Sequence, residues 1–271
     1  MHPMVNIALR AARKAGDTIE RAMENLDQLE VQNKSASDFV TEIDKAAEDT
    51  IIYVLKKAYP DHAFISEEMG TLGDPDTAEY TWIIDPLDGT TNFIRGIPQF
   101  AVSIACTKDG RIEHGVIYDP IKREEFTASR GAGAQVNGRR MRVRKSYEKE
   151  SALFCTGIPF GDRSEEEMDK YLQILKTMTL GSAGVRRPGA ASLDLAYVAA
   201  GRYDAFWEMG LKSWDMAAGI LMIQEAGGLV ADFNGGNNML KSGNIVCGSP
   251  RAFKATLQTV QPIMGDQAST S

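Results

Sequence analysis

An apolar strand that runs straight into two aspartates constrains this chain more than any other feature: Trp82-Ile83-Ile84-Asp85-Pro86-Leu87-Asp88-Gly89-Thr90-Thr91-Asn92-Phe93. The strand delivers Asp85 to its end, Pro86 stiffens the exit, and a tight turn at Gly89 can bring Asp88 round to the same side. Two carboxylates that converge on a small volume raise each other's pKa unless a cation sits between them. All-oxygen ligands favour Mg²⁺, Mn²⁺ or Ca²⁺ over zinc. The N–H groups after Asp88, with the hydroxyls of Thr90 and Thr91, offer an anion cradle beside those carboxylates, and metal plus cradle points to phosphate. Read alone, Asp-Pro-x-Asp-Gly is a surface turn. The strand before it and the acids elsewhere in the chain turn the balance toward a site.

Those other acids lie at comparable positions. Ala63-Phe64-Ile65-Ser66 reads as a strand that ends at Glu67-Glu68, with Glu67 able to join the metal ligands and Glu68 turned away. Glu208 ends the apolar run Asp204-Ala205-Phe206-Trp207. Asp215, within Trp214-Asp215-Met216-Ala217-Ala218-Gly219, starts a helix with small residues behind it. A cap is the plainer role for Asp215, but the flanking tryptophan and the alanine-glycine face point to a tightly packed position instead.

The chain has 271 residues, enough for one large domain or two intimate halves. The division falls at approximately 1–148 and 149–262, followed by a flexible tail over 263–271. Apolar spacing predicts a helix over Pro3–Met23 and a second one with Ile43, Ala47, Ile51, Val54, Leu55 and Ala58 on its face, capped by Thr41 and ended by Pro60. Residues 32–37 read as a loop. Residues 80–84 read as a strand, and strands over 101–107, 112–118 and 124–128, with turn signals between them, predict an antiparallel meander, with another hairpin at Asn137-Gly138. In the second half, strands over 152–155, 204–207 and 244–247 alternate with helices near 164–179, 190–200 and 214–226. The fold class is α/β, with layered halves whose acidic strand ends meet at an interface.

Composition narrows the function. Hydrophobic residues make up 43 % and charged residues 25 %, as in ordinary globular proteins, which excludes disorder and a fibre. No apolar stretch is long enough to span a membrane and no export pattern opens the chain, so a cytoplasmic protein is expected. Cys106, Cys155 and Cys247 read as buried reduced thiols, and His2, His62 and His114 as isolated structural or surface residues. The net charge of −7 opposes broad nucleic-acid affinity. One exception is the basic cluster Arg139, Arg140, Arg142, Arg144 and Lys145, whose plainest reading is a charged hairpin edge.

Together, the strings 85–93 and 214–219 resemble the inositol monophosphatase family, and within it the bacterial SuhB-type branch, over about Pro3 to Val260. The resemblance implies a layered αβαβα sandwich and a Mg²⁺-dependent, lithium-sensitive phosphate-monoester hydrolase acting on inositol monophosphate through metal-activated water. It implies two or three Mg²⁺ ions, with Mn²⁺ as a substitute, held by Glu67, Asp85, the carbonyl of Leu87, Asp88 and Asp215. Thr90 and Asp44 would position the attacking water with Glu67, and Gly89 and Thr90 would donate N–H groups to phosphate. Lys34 would lie on a mobile loop near the site. Gly189, Ala191 and Glu208 would contact the hydroxylated part of the substrate, beside Asp88 and Asp215. A homodimer is implied, as is a second role with RNA polymerase, Nus factors and RNA in ribosomal RNA antitermination. Two positions depart from the family pattern: Ala190 stands where a Ser or Thr is common, and Met69 where Ser or Gly is usual. Fructose-1,6-bisphosphate and nucleotide 3′-phosphates stay open as substrates. An aspartyl-phosphate phosphatase is disfavoured by the extra residue between the two aspartates. A purely transcriptional binding protein is the alternative from another class.

Overall fold

The computed structural model describes residues 1–23, 31–33, 39–159 and 164–265. In chain order the elements are α1 (Pro3–Met23), β1 (Val31–Asn33), β2 (Phe39–Thr41), α2 (Glu42–Ala58), β3 (Ala63–Ser66), β4 (Gly70–Leu72), β5 (Tyr80–Asp88) and α3 (Thr90–Ile94). A meander follows: β6 (Ala101–Lys108), β7 (Arg111–Asp119), β8 (Glu124–Ser129), β9 (Gly133–Val136) and β10 (Arg139–Arg140). The second half contains β11 (Leu153–Thr156), α4 (Glu165–Thr179), β12 (Gly184–Arg186), α5 (Ala191–Ala199), β13 (Ala205–Glu208), α6 (Ser213–Glu225), β14 (Leu229–Ala231), α7 (Met239–Ser242), β15 (Ile245–Gly248) and α8 (Pro250–Met264).

Eight strands form one sheet in the order β10-β9-β8-β7-β6-β5-β3-β4, and five form another in the order β12-β11-β13-β15-β14. Three apolar clusters separate five layers. The face of α1 made by Val5, Ala8, Ala12, Ala15 and Ile19, with Ile51 and Leu55 of α2, covers one side of the large sheet. The nearly all-apolar helices α5 and α6 fill the space between the sheets. Helices α4 and α8 cover the outer side of the small sheet through Tyr171, Ile174, Met178, Ala252 and Val260. A helix apolar all round belongs between two layers, whereas the amphipathic α1 belongs outside. The expected αβαβα layering follows from this difference. Among the described residues no helix is long and apolar enough to cross a membrane. The three cysteines are free and buried, as expected.

Several details differ from the sequence reading. Strand β5 does not stop at Ile84: it pairs with β6 through Asp88, with a bulge between Asp85↔Ser103 and Asp88↔Ala101. Strand β1 occupies part of the expected loop at 32–37, pairing with β2. Helix α8 has no counterpart in the sequence reading and continues to Met264, whose side chain is buried, where a tail was expected from 263. Residues 266–271 and Lys34 lie outside the described residues.

The central layer has no spare volume. A Cβ at Gly219 of α6 would lie 2.4 Å from Cβ of Leu195 in α5. Gly219→Val is expected to destabilise the protein by about 1–3 kcal/mol through overpacking, read as a lower urea midpoint. An unchanged midpoint would show that α5 and α6 can move apart freely.

Candidate active site

The bulge in β5 gives the two aspartates different surroundings. Asp85 is 1 % exposed, and its Oδ1 accepts the N–H of Leu87 at 3.0 Å, closing a local turn. Asp88 is part-exposed and reaches across to the second half. Its Oδ1 accepts the N–H of Ala191 at 3.2 Å, and its Oδ2 accepts the N–H of Ser192 at 2.7 Å and the Ser192 hydroxyl at 2.5 Å. Asp88 thus serves the N-terminal donors of α5, a role Ala190 cannot fill because it makes no side-chain cap. Gly89 takes a left-handed backbone (φ 95°), and a Cβ there would lie 2.9 Å from the Gln99 carbonyl. The Thr90 hydroxyl donates to the Leu87 carbonyl at 3.0 Å.

Glu67 follows β3 and is held there by an acid absent from the sequence reading. Glu48, fully buried on α2, accepts the Ser66 hydroxyl at 2.8 Å and the N–H groups of Glu68 at 2.9 Å and Met69 at 2.7 Å. Asp44, one turn earlier on the same helix, is also buried. The signal was present: Asp44 and Glu48 fall among Ala47, Ile51 and Leu55, on the apolar face of an amphipathic helix. The Met69 side chain is exposed, and it is the residue's N–H that is used.

From the second half, Asp215 lies in the first turn of α6 and accepts the N–H of Lys212 at 2.6 Å. The plainer expectation of a cap therefore holds for one of its oxygens. Asp215 also lies close enough to Asp85 for the two carboxylates to repel one another. Glu208, at the end of β13, is buried against bare backbone: a Cβ on Gly157 would fall 1.8 Å from its Oε1. Gly189, with φ 88°, and Ala191 flank the Asp88 contact. Ser192 and Gly157 join the site, and Asn92 packs behind it against the main chain of Pro188 and Gly189, through contacts that no sequence spacing announces.

Burial, then repulsion by Glu67, Asp88, Asp215 and Asp44, holds the Asp85 carboxyl well above the usual carboxylate range. Burial lifts Asp88 to about 6 against the opposing bonds from Ser192 and Ala191. Burial and repulsion by Asp88 lift Asp215 to about 8. Glu208 is raised by burial, then by Asp194 and Asp215. Among the described residues no three His, Cys, Asp or Glu side chains are already closed into a metal-holding group. The carboxylates act on one another instead through mutual repulsion. A cavity of about 630 Å³ lies elsewhere, between α1 and the outer strands β7 to β9, lined by residues including His2, His114 and Gln135. It contains none of these acids.

The inositol monophosphatase family model matches residues 1–264. The chain belongs to the inositol monophosphatase family. A protein of Pseudomonas aeruginosa named Nus factor SuhB is 59 % identical over 263 residues, 97 % of each chain. The crystal structure of the extragenic suppressor protein SuhB of Bartonella henselae superposes with a TM-score of 0.91 at 43 % identity, covering 96 % of this chain and 99 % of that one. An IMPase of Thermotoga maritima superposes at 0.87 with 30 % identity, covering 98 % and 99 %. The family's layered α/β fold is thus also this chain's fold.

A carboxyl whose folded pKa lies above its unfolded value binds its proton more tightly when native. Stability is then fully present below the ordinary carboxylate pKa near 4 and is lost as pH rises through the folded values, about 6 for Asp88 and about 8 for Asp215. In chelator-treated protein, the melting temperature is expected to fall between pH 6 and pH 8.5, and Asp215→Asn to flatten that slope. Superimposable profiles of wild type and variant would refute the raised pKa of Asp215.

Proposed function

We propose that this member of the inositol monophosphatase family hydrolyses the phosphate ester of inositol monophosphate in a Mg²⁺-dependent reaction. The observation that carries the reading is the convergence of Glu67, Asp85, Asp88, Asp215 and Asp44, from both halves of the chain, on one mutually repelling cluster. This donor set fits the cation: it is all hard oxygen, it includes the Leu87 carbonyl, and its pKa values are raised by burial and then by a charge excess that a divalent ion would relieve. Glu67, Asp85, Leu87, Asp88 and Asp215 would hold two or three Mg²⁺ ions, with Mn²⁺ as a substitute.

Bound Mg²⁺ supplies a nucleophilic water at neutral pH and neutralises charge on the transferring phosphoryl group. General-base help gives only about 10²–10⁴-fold, against accelerations of up to about 10²¹-fold for monoester hydrolysis. Most of the stabilisation must therefore be electrostatic. Glu67, Asp44 and Thr90 would orient the attacking water. The Thr90 hydroxyl also keeps the Leu87 carbonyl in line by its bond at 3.0 Å. The N–H groups of Gly89 and Thr90 bind phosphate oxygens across the turn that the left-handed Gly89 permits. Gly189, Ala191 and Glu208 orient the polyol hydroxyls beside Asp88 and Asp215.

A second reading is supported by the relatives named as Nus factors and by one surface. Arg139 and Arg140 form the exposed edge strand β10, and exposed Arg142, Arg144 and Lys145 extend it. This face suits RNA or an acidic protein such as a component of an RNA polymerase and Nus factor complex. A homodimer accords with the family and is tested by light scattering.

Asp85→Asn and Asp215→Asn are each expected to lower Mg²⁺-dependent phosphate release by at least about 10²-fold and to weaken Mg²⁺ binding in calorimetry, with the fold retained. Retained activity in both variants would refute the site. Li⁺ titrated at fixed Mg²⁺ is expected to inhibit, and a panel of inositol, sugar and nucleotide phosphates identifies the ester. For the second reading, charge reversal at Arg142 and Arg144 is expected to reduce recovery of RNA polymerase in a pull-down; unchanged recovery would exclude this surface.

A further inference from the structure

We propose that Asn92 governs substrate choice: its side-chain amide fixes the main chain of residues 188–191 against the 85–90 loop, which makes it a positioning residue for the polyol side of the site. The inference rests on the assignment of Gly189 and Ala191 to polyol contact given above.

Asn92 is buried in α3. Its Nδ2 donates to the carbonyls of Gln99 at 2.7 Å, Pro188 at 2.9 Å and Gly189 at 3.3 Å. The first bond ties the amide to its own loop, and the other two cross to the turn before α5. An amide nitrogen carries two hydrogens, so three acceptors engage it fully.

Asp88 and Asn92 hold adjacent parts of one segment with opposite polarity. A carboxylate only accepts, so Asp88 takes the N–H groups of Ala191 and Ser192. The amide nitrogen of Asn92 only donates, so it takes the C=O groups of Pro188 and Gly189. Neither side chain can do the other's work. The grip of Asp88 changes with its charge and with whatever cation shares it, whereas Asn92 carries no charge and holds the segment unchanged.

The surrounding packing closes one direction of motion. A Cβ on Gly189 would lie 3.2 Å from Nδ2 of Asn92, and one on Gly89 would lie 3.3 Å from Cβ of Ala190. Residues 188–191 cannot slide toward the loop, and without the amide they can drift away from it. Every bond from this amide nitrogen goes to a main-chain carbonyl, not to a carboxylate of the cluster, so ester recognition can change while phosphoryl chemistry stays.

The test compares inositol 1-phosphate with p-nitrophenyl phosphate, an ester without polyol hydroxyls, in wild type, Asn92→Ala and Asn92→Ser. For Asn92→Ala, kcat/KM for inositol 1-phosphate is expected to fall about tenfold, mainly through KM. The Mg²⁺ half-saturation and the p-nitrophenyl phosphate rate are expected to stay within about twofold. Hydrogen exchange at the amides of Ala191 and Ser192 is expected to accelerate, with residues 85–89 unchanged. Asn92→Ser keeps one donor and should show a smaller change in both readouts; it also stands in if Asn92→Ala does not fold. A parallel loss on both esters, or unchanged exchange at 191 and 192, would overturn the proposal. If the wild-type protein hydrolyses neither ester, the phosphatase reading fails, and the exchange experiment still decides whether Asn92 holds the segment.

Discussion

The structure turns on one carboxylate that serves two parts of the chain. Helix α5 lies between the sheets, and every residue from Ala191 to Ala199 is buried, so water cannot satisfy its first N–H groups. The residue at its cap position, Ala190, offers no oxygen. Asp88 supplies it from a strand about a hundred positions earlier, with a charge that also complements the positive end of the helix. A residue proposed to hold a cation is therefore also the residue that completes the central layer. This explains why the extra residue between Asp85 and Asp88 matters: the bulge turns Asp88 toward α5 while Asp85 stays in the sheet.

The same bonds divide the labour between the oxygens. Oδ2 of Asp88 takes two donors from Ser192, while Oδ1 takes one long bond from Ala191 and keeps capacity for another partner. Asp215 divides its oxygens similarly, with Oδ2 bound to the Lys212 N–H. Each acid is anchored by the backbone at the start of a helix, Asp88 through both oxygens and Asp215 through Oδ2, and this anchoring resists the repulsion that would otherwise drive the carboxylates apart. Glu48 does the corresponding work for Glu67 by fixing the turn rather than the side chain.

The parts of the fold legible in the sequence have a strong local period. The face of α1, the meander and the apolar helices α5 and α6 could be read because burial repeats every 3.6 or 2 residues. The three-residue strands β4, β12 and β14 could not, because three residues carry no period, and β12 in addition pairs with a strand distant in sequence, Leu153 opposite Gly184. The acids at strand ends were legible because charge is rare beside Trp82 and Phe206. Ser192 and Asn92 were not: a serine in a helix and an asparagine in a turn are ordinary locally, and only the docking of the two halves gives them partners. The departure at Ala190 has its explanation there too, since Asp88 supplies the acceptor oxygens a Ser or Thr would otherwise bring.

The two proposed activities draw on different regions of the same sheet. The carboxylates of the first half lie at β5 and the end of β3, whereas Arg139 and Arg140 lie on β10 at the opposite margin, with β9, β8, β7 and β6 between. At about 4.8 Å per strand, five spacings put β10 about 24 Å from β5. That exceeds the screening length of about 8 Å at physiological ionic strength, so charges on the two margins barely act on one another through solvent. A macromolecule could dock on the arginine edge without disturbing the carboxylate pKa values, unless it also shifted α6 or β13. Glu225 is one route by which it could: its carboxylate accepts the N–H groups of Gly131 and Gly133 beside that edge, and it ends the helix whose first turn carries Asp215. One route for coupling between transcriptional binding and catalysis runs along this 13-residue helix as a rigid displacement, and another through the Arg144–Asp204 ion pair to β13, which ends at Glu208.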